Sequence, residues 1–127
     1  MTESVKSVSV LMVDDEPQVL SFFSDALTQN GFRVTRADSF LAAFEAIHNG
    51  HFDLLILDKV TGYVQVLERF RALMPNAPVL LISGATDSTD DQALMAGQLD
   101  RVIQKPIGLV ALLAHVYACL PKINSSK

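Results

Sequence analysis

Three acidic side chains, Asp14, Asp15 and Glu16, follow directly on an apolar run at residues 8–13. Two like charges about 4 Å apart repel by about 4 kcal/mol at an effective dielectric near 20, so an acidic row at the end of a core strand carries a cost that needs a counterpart. Three further apolar runs end on a polar side chain. Residues 54–57 lead into Asp58, residues 79–82 into Ser83, and residues 102–104 into Lys105 and Pro106. Each has an ordinary reading when taken alone: Asp14 or Asp15 as a helix cap, Ser83 as a turn residue, Lys105 as a solvated surface charge. Asp14, Asp15 and Asp58 together with the Ser83 hydroxyl and the Lys105 ammonium form a set suited to a charged ligand, provided the fold gathers them.

The elements that must do this are legible in the hydrophobic pattern. The runs at 8–13, 54–57 and 79–82 are nearly continuous in Val, Leu and Ile, as strands covered on both faces of a parallel sheet are. Weaker strand signals lie at 32–37 and 102–104. A first helix is expected from Pro17 to just before Gly31, with Val19, Phe22, Phe23, Ala26 and Leu27 in one stripe. A second begins after Ser39, ends near Gly50 and is expected to bury Leu41, Phe44 and Ile47. Tyr63, Val66, Leu67, Phe70 and Leu73 mark the third. A short fourth helix starts near Ser88 and Asp91 and stops near Gly97, and a fifth carries Leu109, Leu112, Val116 and Leu120 on one face.

Five alternating βα units imply an α/β fold, a doubly wound parallel five-stranded sheet with helices on both faces. In the strand order 2-1-3-4-5, strands 1, 3, 4 and 5 are consecutive neighbours, and their carboxyl ends form the edge where open α/β sheets bind ligands.

The 127 residues are read as one domain, 1–127, with a core at about 8–120 and polar tails at 1–7 and 121–127. A net charge of -4 and the lack of a basic cluster argue against direct nucleic-acid binding. No apolar run has the length of a membrane span and the start has no signal-peptide pattern, so a cytoplasmic protein without a membrane partner is expected. Cys119 is the single cysteine, which excludes an internal disulfide framework, and His48, His51 and His115 have no metal-ligand spacing.

The segments "LMVDDEP", "FDLLILD", "PVLLISG" and "LMAGQLDRVIQKP" occur in this order over most of the chain. In that order and spacing the chain resembles the receiver domain of bacterial two-component response regulators, the CheY-like superfamily. The resemblance implies a phosphoprotein of a phosphorelay, not a turnover enzyme. Asp58 would accept a phosphoryl group from a histidine kinase or phosphotransfer protein as an aspartyl phosphate. Mg²⁺ would be held by Asp15 directly, Asp14 through water, Asp58 and the backbone carbonyl of Val60, and would offset the repulsion of the acidic row. Lys105 would pair with one phosphoryl oxygen and Ser83 donate to another. Without metal, the three carboxylates should raise one another's pKa, with Lys105 opposing. No output module follows Leu120 in this sequence, so signalling is expected through a protein partner on the face of the fourth helix, strand 5 and the fifth helix, with homodimerisation open.

The chain also departs from that family. Gly62 comes only four residues after Asp58, a shorter loop than the family's. Lys59, next to the acceptor, is expected to point to solvent. Val102 stands three before the lysine, where the family has a ring; its stiff β-branched side chain is expected to be core. Ala85, two after Ser83, has no polar group to orient water, which implies slow loss of the phosphoryl group. Any switch is then expected in backbone shifts over 84–91. The competing reading is a degenerate receiver that serves as a phosphorylation-independent binding or dimerisation module. A dehalogenase-like phosphatase is disfavoured, because "VDDEP" lacks the Asp-x-Asp such enzymes carry after strand 1.

Overall fold

Strands form where the Val, Leu and Ile runs were read, and each run stops at its polar residue. The structure is a computed structural model and describes residues 8–59, 62–84 and 97–126. Its strands are β1 (Ser9–Val13), β2 (Arg33–Ala37), β3 (Leu54–Asp58), β4 (Val79–Ser83) and β5 (Arg101–Gln104). The helices among the described residues are α1 (Pro17–Gln29), α2 (Phe40–Asn49), α3 (Tyr63–Leu73), α4 (Leu109–Ala118) and α5 (Leu120–Ser126). The fourth helix expected from Ser88 lies outside the described residues, apart from the turn at Gly97.

The sheet has the order β2-β1-β3-β4-β5 and every pairing is parallel. Alternate residues of each strand serve opposite faces. Val10 and Met12 of β1 join Leu54 and Ile56 of β3 in one apolar cluster, which takes Leu20, Phe23 and Leu27 from α1 and Leu112 and Val116 from α4. Leu11 and Val13 join Leu55 and Leu57 in the other, which takes Ala43 and Ile47 from α2 and Val66, Leu67 and Phe70 from α3. Each such fully buried side chain contributes about 1.5–3 kcal/mol relative to exposure, so the central strands are the best-anchored parts of the fold. The residues that follow β1, β3, β4 and β5 are therefore carried on a rigid frame. Among the described residues, no helix is long and apolar enough to cross a membrane.

Helix starts follow local chemistry. Pro17 opens α1, where its missing N–H is no loss. The Ser39 hydroxyl caps α2 by accepting from the Ala42 N–H at 3.2 Å.

Several burial expectations are corrected. Leu41 is 66% exposed, because it lies about 200° around α2 from the inward-facing Ala43. Phe22 is 57% exposed, and Leu20 takes the buried place on α1. Leu73, at the end of α3, is also exposed. Val102 is 38% exposed rather than core, since β5 is an edge strand and Arg101, Val102 and Gln104 are all open to solvent. The stretch 121–127, read as a polar tail, is helical through Ser126. Ile123 falls one turn after Leu120, and both are buried against the first cluster.

Candidate functional site

Asp14 follows the last residue of β1 and is 1% exposed. Its backbone N–H donates to the Ala37 carbonyl at 3.1 Å, and its Oδ1 accepts from the Glu16 N–H at 2.9 Å. This Asx-type turn anchors the carboxylate at the start of the loop, while Asp15 and Glu16 remain exposed. Asp58 ends β3 and is buried. Register sets its neighbours: Asp58 stands opposite Ile82, and Ser83 opposite Gln104. The Lys105 N–H donates to the Ser83 carbonyl at 2.8 Å, which aims the residue after β5 back across the edge. The Lys105 ammonium then reaches Asp58 Oδ1 at 2.7 Å. Ser83 is 2% exposed, and its hydroxyl has no hydrogen-bond partner among the described residues. A buried hydroxyl without a partner costs free energy, so it is a group that a ligand would satisfy.

The electrostatics follow from burial. Burial pushes the Asp58 carboxyl above its usual range, and the Asp15 charge adds to this against the opposing pull of Lys105. Burial likewise raises Asp14; the Glu16 N–H works against it and the Asp58 charge with it. Burial alone would lower Lys105, but the hydrogen bond to Asp58 and the charges of Asp58, Asp14 and Glu16 outweigh it, and its pKa is raised. The upward direction anticipated for the carboxylates holds at Asp14 and Asp58, with desolvation a larger cause than mutual repulsion.

One carboxylate oxygen from each of Asp14, Asp15 and Glu16 lies within 4.8 Å of the others. They are hard oxygen donors of the kind Mg²⁺ takes, so the donor set fits such an ion. Glu16 is the donor that sequence reasoning did not assign; its signal was membership of the same acidic row. Asp58 is not part of that trio, and its Oδ1 is taken by Lys105. Val60 and Ala85 lie outside the described residues. Lys59 is half-buried, not directed to open solvent: its N–H donates to the Ile82 carbonyl at 3.0 Å, and its ammonium lies over the Tyr63 ring, 5.5 Å from the centroid. The aromatic face draws the cation away from bulk water.

An open, largely apolar groove of about 570 Å³ adjoins the pair. Val19, Phe22 and Phe23 of α1 line one side, and Lys105, Pro106 and Ile107 the other.

The sequence model of the response regulator receiver domain family matches residues 10–117. The transcriptional regulatory protein KdpE of Mycobacterium tuberculosis is 37% identical over 116 residues, covering 87% of this chain and 50% of that protein. TcrA of the same organism is 30% identical over 118 residues, covering 90% and 46%. The chain spans about half the length of these curated relatives. Among solved structures, a CheY-like receiver domain protein from Methanospirillum hungatei superposes with a TM-score of 0.85 at 23% identity, covering 98% of this chain and 100% of that one. The response regulator TrrA from Thermotoga maritima, solved with Mg²⁺ and BeF, superposes with 0.75 at 24% identity, covering 89% and 99%. At these identities the structural likeness speaks for the fold.

Proposed function

The chain belongs to the response regulator receiver family of two-component systems, and from that premise we propose that Asp58 is its phosphoacceptor. An Asp58 carboxylate oxygen attacks the phosphorus of a phosphohistidine on a histidine kinase or phosphotransfer protein. The new P–O bond forms as the P–N bond breaks, and the histidine nitrogen keeps the electron pair. Lys105 opposes the upward pull of burial on the Asp58 carboxyl and is placed to pair with the phosphoryl oxygens as they arrive. The Ser83 hydroxyl is the donor left over for another of those oxygens. Asp14 and Asp15, together with Asp58, would hold Mg²⁺, with Glu16 as a further carboxylate. The ion supplies the positive charge that lets an anionic nucleophile meet an anionic phosphoryl group.

The observation that supports this reading best is the 2.7 Å contact between Lys105 and Asp58 beside the buried Asp14. A donor protein must come within bonding distance of Asp58, and the apolar groove between α1 and the turn after β5 offers it a surface next to that carboxylate. The reading puts the protein in the cytoplasm, with its downstream partner on the face of the expected fourth helix, β5 and α4, the last being the helix expected as the fifth. Labelling by acetyl phosphate with Mg²⁺ tests the acceptor: Asp58→Asn should abolish it, and persistent labelling of that variant would place the acceptor elsewhere.

The second reading, a receiver that binds partners without phosphorylation, draws on the separation of Asp58 from the acidic trio and on the absence of a ring at Val102. Beryllofluoride with Mg²⁺ separates the two. Amide shifts near Asp58 and Ser83 support the phosphoacceptor, and an unchanged spectrum supports the scaffold.

A further inference from the structure

The corner between β2 and α2 carries none of the polar side chains of the site, yet it touches the chain that follows β1 and the start of α3 beyond β3. On one side, the Ala37 carbonyl accepts from the Asp14 N–H at 3.1 Å. On the other, the Phe40 ring lies against Gly62. A Cβ added to Gly62 would come within 2.7 Å of Phe40 Cγ and 3.0 Å of its Cβ and Cδ1. Gly62 has φ +82, a left-handed conformation that glycine adopts without steric cost. It is the N-cap of α3, and its carbonyl accepts from the Val66 N–H at 3.2 Å.

The ring is itself held. Phe40 is the first residue of α2, whose start is fixed by the Ser39 cap. It meets Phe44 edge-on, with centroids 5.8 Å apart and an interplanar angle of 85°. Phe44 in turn lies under the Arg69 guanidinium of α3, 5.9 Å from its centroid. Among the described residues, the chain leaving Asp58 is tied to β4 through the Lys59 N–H, to the Tyr63 ring through the Lys59 ammonium, and to α2 where Gly62 rests on Phe40. Gly62 opens α3 only four residues after Asp58 in the chain.

We propose that Phe40 is a positioning residue for phosphoryl transfer, acting through Gly62 on the placement of Asp58. The proposal rests on the reading of Asp58 as the acceptor. It assigns a task in the reaction to a side chain that touches no reacting atom.

The test compares Phe40→Ala and Phe40→Leu in the full chain. Amide hydrogen exchange at Lys59 and Val66, with Leu57 as reference, is read without any phosphoryl donor. In Phe40→Ala both amides should exchange faster by about tenfold while Leu57 holds. Labelling by acetyl phosphate at saturation should slow by about 10- to 100-fold, with the half-saturating concentration little changed. Phe40→Leu should restore most of the rate. Unchanged exchange in Phe40→Ala overturns the bracing, and faster exchange with an unchanged labelling rate overturns the positioning role. A wild-type chain that takes no label while its exchange responds to Phe40 refutes the acceptor assignment instead, and the positioning role with it. Should Phe40→Ala not fold, Gly62→Ala with and without Phe40→Leu decides. The smaller, more flexible side chain should relieve part of the defect, and strict additivity overturns the contact.

Discussion

The Lys105 ammonium lies 2.7 Å from Asp58 although β5 and β3 are not neighbours in the sheet: β4, ending at Ser83, runs between them. One ion pair therefore spans three strand ends. Lys105→Met should leave Asp58 buried without its cation, so the Asp58 carboxyl should titrate higher than in the wild type. Loss of a charge that stabilises the transferring group should slow labelling by acetyl phosphate by about 100- to 1,000-fold. Carboxyl ¹³C titration and single-turnover labelling read these two effects separately, and a labelling rate equal to that of the wild type would remove Lys105 from the mechanism.

Removing members of the acidic trio should weaken Mg²⁺ binding in graded fashion. Asp15→Asn should cost affinity by titration calorimetry or amide shifts, and Glu16→Gln less, since Mg²⁺ sites rest on one or two carboxylates. An equal or larger loss at Glu16 would shift the weight of the site onto the residue that the sequence reading passed over. Asp14→Asn has a second consequence, since its Oδ1 also closes the turn with the Glu16 N–H.

Acid stability should depend on Asp100. Burial pushes its carboxyl up, but the hydrogen bond from Lys122 at 2.6 Å, the Val79 N–H at 2.9 Å and Arg71 at 3.0 Å outweigh this and hold it below the ordinary 3.8. A folded-state pKa below the unfolded one contributes stability that is present above the unfolded value and is lost as pH falls through the folded one. Asp58 and Asp14 have the opposite sign: their raised pKa values cost stability at neutral pH, and that cost fades on acidification. Asp100→Asn should therefore lower the urea midpoint at pH 7, by about 1–3 kcal/mol in stability, and the gap to wild type should begin to narrow below about pH 4 and close only once pH has fallen through the depressed folded-state pKa. A gap independent of pH would mean that the network acts through packing and neutral hydrogen bonds alone.

Phe22 is 57% exposed on the wall of the groove that Asp14 and Lys105 also line. Phe22→Ala should change stability by less than about 0.5 kcal/mol. It should slow transfer from a phosphohistidine donor protein and leave labelling by acetyl phosphate unchanged, because the small donor needs no docking surface. Equal effects on both donors would exclude the groove as that surface.

Ile123 is 2% exposed and packs α5 onto the first apolar cluster. Ile123→Ala should destabilise the domain by about 2–4 kcal/mol, read by chemical denaturation. A loss near zero would show that α5 is not part of the cooperative fold.

The strands, their polar ends and hence the fold are legible in the residue pattern alone. Strands covered on both faces require unbroken Val, Leu and Ile, as in Leu54 to Leu57, so a polar residue at the end of such a run marks the sheet edge directly. The same pattern carries the family, because the ordered motifs around Asp14, Asp58, Ser83 and Lys105 are local. Which side chains meet is set by packing in three dimensions. Lys105 chose Asp58, Glu16 joined Asp14 and Asp15, Lys59 turned to Tyr63, and Phe40 met Gly62. The same holds for exposure: Leu41 and Val102 are apolar but uncovered, while Ile123 is buried in a polar stretch. Side-chain type and spacing say what an element would bury, but whether it does depends on strand order, register and helix rotation, which bring together residues far apart in the chain.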